Sequence, residues 1–229
     1  MANEIIPYME MCIREGTSLQ RGMNFELRDN HSVILMSVRP GAPYEDQISK
    51  DGSTLIYEGH DVPRSPQCPQ PKDHDQPRVS ANGHLTENGK FHKAAQDHKA
   101  GNRPPERVRV YEKIKGGIWS YNGVFHLVDS WRETSHGRKV FKFKLVAVEG
   151  EENFRVPVPK KSIHRRIIPT SVKLEVWKRD GGKCVKCGST VNLHFDHIIP
   201  FSKGGASNTA DNIQLLCGTH NIQKHDNIE

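Results

Sequence analysis

The chain predicts an α+β fold in two unequal parts: a β-rich N-terminal region with flanking helices, then a small metal-stapled C-terminal module. Three observations carry this expectation. Five apolar or alternating runs between Ser32 and Val146 have the length and period of strands. Cys184 and Cys187 form a C-x2-C pair, and Cys217 and His220 a C-x2-H pair, the spacing with which two short knuckles present four soft ligands to tetrahedral zinc. Between these regions, Glu149-Gly150-Glu151-Glu152 gives way abruptly to Pro157-Val158-Pro159-Lys160-Lys161 and His164-Arg165-Arg166, as a linker does.

In chain order, residues 1–30 read as an N-terminal helix, with Ile5, Ile6, Met9 and Ile13 at helical spacing and a stop near Gly16. Ser32–Val38 and Thr54–Tyr57 are apolar strand runs, and Arg107–Tyr111 alternates as a half-buried strand. Tyr121–Val128 and Val140–Val146 complete the set, and Leu85–Lys99 reads as one helix. Asp61–Asn82 carries five prolines and almost no apolar period, so it is expected to be a long loop. The domain boundaries follow: a β-rich unit over 1–148, a basic linker over 149–170 and the zinc module over 171–229. Lys160, Lys161, Arg165 and Arg166 would lie along a phosphate backbone.

Composition narrows the class. The 229 residues are 34% hydrophobic and 26% charged, with a formal net charge of +6, which suits a globular protein with a polyanionic partner. No apolar run is long enough for a bilayer, and the start Met-Ala-Asn-Glu-Ile-Ile-Pro lacks the layout of a signal peptide, so no membrane partner and an intracellular location are expected, a bacterial-type cytoplasm first, with a nucleus as the alternative. Five cysteines, three of them in the zinc set, leave Cys12 and Cys68 and argue against a secreted disulfide framework.

Four zinc ligands alone imply only structure. Between the knuckles, however, stand Asp196, His197, Asn212 and Asn221, which zinc does not need. Asp196-His197-Ile198-Ile199-Pro200, then Gly204-Gly205, Asn212-Ile213-Gln214-Leu215-Leu216-Cys217 and the closing Asn221 and Lys224, resemble the HNH (ββα-metal) nuclease motif in its zinc-stapled form. The resemblance implies His197 as general base, Asp196 and Asn221 as ligands of one catalytic divalent cation (magnesium or manganese), and Asn212 as the residue that holds the loop aiming the histidine. His194 reads as a strand histidine and His225 as part of the tail.

Three separated pieces of the N-terminal region resemble the SRA (YDG) domain, a curved β-barrel-like module that flips a modified cytosine into a pocket. They are Ser32–Leu35 leading to Tyr44-Glu45-Asp46, Gly52 and Tyr57; Leu85-Thr86-Glu87-Asn88; and Tyr121-Asn122-Gly123-Val124-Phe125. The resemblance implies a pocket in which Tyr44 and Tyr57 offer aromatic faces and Asp46 an acceptor for the exocyclic amine. It also places a finger in Asp61–Asn82, with Arg64, Lys72 and Arg78. The sequence departs from the family at Asn122, which replaces an aspartate, and in an interval from Tyr44 to Tyr57 one residue longer, which leaves the acceptor position open between Asp46 and Gln47.

Together the two resemblances imply a modification-dependent restriction endonuclease that binds double-stranded DNA carrying 5-methyl- or 5-hydroxymethylcytosine and hydrolyses its phosphodiesters. One nuclease site per chain implies a homodimer for double-strand cleavage. The competing readings are a non-cleaving reader of modified DNA and a nicking or homing-type HNH enzyme that reads sequence.

Overall fold

The computed structural model describes residues 3–19, 22–27, 31–49, 52–148 and 168–228. The linker positions Lys160, Lys161, Arg165 and Arg166 lie outside these residues.

The chain opens with strand β1 (Glu4–Pro7), helix α1 (Tyr8–Glu15), β2 (Met23–Leu27), β3 (His31–Met36), β4 (Gln47–Ile48) and β5 (Thr54–Glu58). It continues through α2 (Glu87–Lys99), β6 (Glu106–Lys115), β7 (Ile118–Ser135) and β8 (Arg138–Ala147), and ends with α3 (Thr170–Arg179), β9 (Leu193–His197), β10 (Ile213–Cys217) and α4 (Gly218–Lys224). Among the described residues ten strands form one sheet in the order β10-β9-β1-β7-β6-β3-β2, while β8 pairs with both β7 and β5, and β5 with β4. The β3–β6 pairing is parallel, and the others are antiparallel. The expected strands and the helix ending at Lys99 are all present. The α+β architecture is therefore as predicted.

The N-terminal expectation needs correction. Ile5 and Ile6 are not helical but lie in β1, where they pair with Ser120 and Trp119 of β7 and are buried. Helix α1 begins only at Tyr8, so its inward residues are Met11 and Glu15, while Met9 and Ile13 are 69% and 77% exposed. Cross-strand pairing on both edges of β1 outweighs a helical period that was only a local preference. The helix stops as expected at Gly16, whose φ of 64° gives a left-handed cap.

Helix α2 is capped by Thr86, whose Oγ1 accepts from the Gly89 N–H at 3.1 Å. It lays Phe91, Ala94 and Ala95 on the curved sheet against Ile34, Leu55, Val110, Phe125 and Phe143. The β7–β8 hairpin closes through His136-Gly137, both at positive φ, the backbone that two-residue hairpin turns require. In β6–β7 the register shifts: Val110 pairs with Gly123 and Tyr111 with Tyr121, so Asn122 is the extra residue of a β-bulge. Gly123, at φ 101°, supplies the conformation this bulge needs.

Residues 61–82 form a loop, but one tied to the sheet. Buried Gln76 donates to Gly59 O (2.6 Å) and accepts from the Phe141 N–H (2.8 Å), and Arg138 pairs with Asp61 at 2.5 Å and with Glu58 at 3.3 Å.

Candidate nuclease centre and base-binding cavity

The C-terminal module is built on the β9–β10 hairpin. Helix α3 docks on it through Arg179, which donates to Ala210 O and Ile213 O at 2.7 Å each, and through Asp180, which accepts from the Leu215 N–H at 2.9 Å. Its core joins Val172 and Val176 of α3 to Phe195, Ile213 and Leu215, with Ile5 of β1 packed into the same cluster.

Cys184, Cys187, Cys217 and His220 converge so that all four ligand atoms lie within 4.8 Å of one another. Cys217 closes β10 and His220 sits in the first turn of α4, so a strand-to-helix turn delivers one pair and a loop the other. His220 Nδ1 is 3.4 Å from Cys184 Sγ and 3.3 Å from Cys217 Sγ, and the Cys187 and Cys217 sulfurs are 3.8 Å apart. A tetrahedral ion with zinc–sulfur bonds of ~2.3 Å has edges of about 3.7 Å, so the donor set fits zinc in both chemistry and size. Burial pushes the Cys184 thiol up, but backbone N–H groups of Cys217, Cys187 and Lys186, with His220, outweigh it and bring it down to about 6. Thiolate is the form a metal binds.

Asp196 and His197 end β9. The Asp196 carboxylate accepts from Lys224 Nζ at 3.0 Å and from Gln214 Nε2 at 3.4 Å. Lys224, buried in the last turn of α4, also donates to His197 O at 2.6 Å, so one ammonium holds helix and strand end together. Asn221 lies three residues earlier on the same helix and so shares the face that Lys224 turns toward β9. His197 Nε2 shares a hydrogen bond with Ser207 Oγ at 2.8 Å. Burial, then the Lys224 charge, lowers the imidazole to about 4, leaving it neutral at pH 7.

Asn212 staples the loop between β9 and β10. Its Oδ1 accepts from the Ile199 N–H (2.8 Å), and its Nδ2 donates to Ile199 O (3.1 Å) and Ala206 O (2.9 Å). Gly205 is packed so closely that a Cβ there would stand 1.7 Å from Ile199 O. His194 is buried, with Nε2 on Asn192 Oδ1 at 3.1 Å, and His225 is exposed beyond the helix.

Tyr44, Asp46 and Tyr57 line one cavity of about 500 Å³ that continues past His60 to Trp119 and Lys113. Asp46 accepts from the Ser37 N–H (3.0 Å) and the Glu58 N–H (3.1 Å), whereas Gln47 is exposed on β4. Burial pushes the Asp46 carboxyl up to about 7 against those two donors. The tyrosines are not two open faces. Tyr57 is 1% exposed, and its hydroxyl meets His60 Nε2 at 2.9 Å. Tyr44 stacks on the same imidazole, with centroids 5.5 Å apart and planes 21° apart, and the Lys72 ammonium stands 4.1 Å from its ring centroid. Lys72 is also paired with Asp61 at 3.1 Å, so it anchors the loop to the cavity rim; Arg64 and Arg78 are exposed.

Sequence reasoning missed His60, Gln76 and the Lys224–Asp196 pair. For His60 the only signal was its place three residues after Tyr57. Gln76, in a proline-rich run, gave none.

Residues 184–227 match the family described as HNH endonuclease, so the C-terminal module is an HNH domain. Among solved structures, the chain is similar to the SUVH5 SRA domain in its complex with hemimethylated CG DNA, at 25% identity over 68% of this chain and 93% of that one, with a TM-score of 0.44. The same domain bound to fully hydroxymethylated CG DNA matches at 23% identity over 68% and 93%, with a TM-score of 0.45. Its complex with methylated CHH DNA matches at 21% over the same shares, with a TM-score of 0.46. No curated protein sequence matches the chain.

Proposed function

We propose that this chain is a modification-dependent DNA endonuclease that accepts a flipped, modified cytosine in the Tyr44–Asp46–Tyr57 cavity and hydrolyses DNA at the HNH centre. The observation that carries the reading is the presence, in one chain, of an HNH domain with Asp196, His197, Asn212 and Asn221 in place and a separate cavity lined by aromatic rings and a buried carboxyl. The net charge of +6 suits the polyanion.

His197, neutral and oriented by Ser207, would take the proton of the attacking water. Asp196 and Asn221 offer the hard oxygens that would hold magnesium or manganese, and the cation would supply charge stabilisation to the phosphate. Lys224 balances the Asp196 carboxylate, and Asn212 fixes the loop that carries Ser207 toward the imidazole. In the cavity, a base out of its stack would replace Lys72 or His60 on the Tyr44 ring, and Asp46 would offer the hydrogen-bonding edge. Two chains would be needed for concerted cleavage of both strands.

The test is digestion of otherwise identical plasmids carrying cytosine, 5-methylcytosine or 5-hydroxymethylcytosine, with magnesium or manganese and with chelator. Cleavage restricted to a modified plasmid and lost in His197→Ala is expected. Equal cutting of all three would leave a sequence-reading nuclease, and no cutting of any a non-cleaving reader.

A further inference from the structure

Asn122, where the SRA resemblance calls for aspartate, belongs to a buried network that joins the reader strands to the first helix of the nuclease module. Its Nδ2 donates to Glu112 Oε2 at 3.0 Å, and its Oδ1 accepts from Lys173 Nζ at 2.8 Å and Ser120 Oγ at 3.3 Å. Lys173 also donates to Glu112 Oε2 at 2.7 Å, and Thr170 Oγ1 donates to Glu112 Oε1. Glu112 and Lys173 are both 0% exposed. One cation meets one anion, and the amide fills the remaining gap by donating to the anion and accepting from the cation. An aspartate at 122 could not donate to Glu112, and would set a second carboxylate beside it away from water. The bulge at Asn122–Gly123 turns the amide into this network, so the departure from the family and the backbone irregularity have one explanation.

The same junction continues in the backbone. Strand β1 pairs with β7 of the reader along Glu4–Pro7 and reaches β9 of the nuclease at Glu4–His194, so β9 stands two strands, ~10 Å, from β7. Trp119 and Lys113 line the reader cavity, while the neighbouring Ser120 and Glu112 belong to the joint, so the β6–β7 ribbon separates the two sites.

We infer that Asn122, Glu112 and Lys173 are positioning residues that hold the HNH centre in one register on the reader, so that the cut falls at a fixed offset from the modified base. This rests on the function proposed above. Were the modules tethered only by the roughly 20-residue linker, the spread of a flexible chain, ~5–6 Å times the square root of its length, would be about 25 Å, or roughly seven base pairs at ~3.4 Å each.

The test uses the full-length protein on linear duplexes with a single 5-methylcytosine or 5-hydroxymethylcytosine, with cut positions mapped to the nucleotide, and calorimetry of the zinc-loaded protein alone. The wild type should cut each strand within one or two positions and unfold in one transition. Asn122→Asp and Lys173→Met should spread the cuts toward seven positions and split the transition, while preference for the modified duplex changes less than twofold. The triple variant Glu112→Met/Lys173→Met/Asn122→Leu, which removes the charges and the amide between them together, should sharpen the pattern again. Wild-type cut patterns in both single variants would overturn the inference, as would two separate transitions in the wild type. If the wild type cuts neither duplex, the nuclease reading fails instead, and the calorimetry still decides the joint: one wild-type transition that splits in Asn122→Asp supports it. Should Lys173→Met fail to fold, Asn122→Asp carries the test.

Discussion

Replacing Asn212 by alanine removes three hydrogen bonds at once: from the Ile199 N–H, to Ile199 O and to Ala206 O. Asn212 is buried, whereas Ile199 is exposed and Ala206 half-buried, so each lost bond is counted at its net value. At a net ~1 kcal/mol each, the loop loses about 3 kcal/mol, which is roughly a hundredfold in the population that presents Ser207 to His197. Neither the Cys184–Cys187–Cys217–His220 set nor the lining of the Tyr44–Asp46–Tyr57 cavity draws a residue from this loop. Single-turnover cleavage of a modified duplex should therefore fall by about two orders of magnitude, while zinc content and DNA affinity stay near wild type and hydrogen exchange at the Ile199 amide accelerates. Asn212→Asp keeps the acceptor for Ile199 N–H but sets a carboxylate oxygen against two carbonyl oxygens in a buried site, so it should fall at least as far as alanine. Cleavage by Asn212→Ala at the wild-type rate, with the Ile199 amide still protected, would refute the assignment of loop order to this side chain.

Chelation of zinc, or Cys217→Ser, should unfold the C-terminal module, because four ligand atoms within 4.8 Å close a core too small to stand alone; a folded, zinc-free module by circular dichroism and metal analysis would contradict this. Tyr44→Ala should reduce the preference for modified over unmodified duplex by ~1–3 kcal/mol, measured as a ratio of dissociation constants at fixed salt, and leave non-specific binding in place. Tyr57 is too deeply packed for the same truncation, so Tyr57→Phe, which removes only the hydroxyl and its bonds to His60 Nε2 and Leu35 O, is the cleaner companion. With its carboxyl pushed by burial up to about 7, Asp46 holds its proton more tightly folded than unfolded. Its contribution to stability is fully present below pH ~3.9 and is lost as pH rises to about 7. The Tm difference between wild type and Asp46→Asn should therefore fall across that window, and a flat difference would argue against the raised carboxyl. Light scattering with and without modified duplex should report a two-chain mass, and a monomer that releases nicked circles before linear DNA would replace the dimer with sequential nicking.

What the sequence determined by itself is what short spacings determine. Cys184 and Cys187, or Cys217 and His220, are brought together by a single turn, so their chemistry is legible without a fold. The same holds for Asp196-His197 at a strand end, for the strand runs and for the helix that ends at Lys99, read from Leu85 and found from Glu87. The tertiary structure decided everything that depends on distant pairing. Ile5 and Ile6 carry a helical period, yet they became a strand because β7 offered an edge along Glu4–Pro7, with β9 beside Glu4, which no local window contains. Tyr44 and Tyr57 were legible as aromatics, but their closure onto His60 depends on how the residues after β5 pack against Asn88, which exchanges two hydrogen bonds of 2.8 Å with the His60 backbone. Asn122 could be seen as a departure from a motif, and only the fold shows why it is tolerated. Its partner Lys173 is 51 residues away in sequence and meets it in a dry interior where an amide that both donates and accepts is satisfied and a second carboxylate would not be.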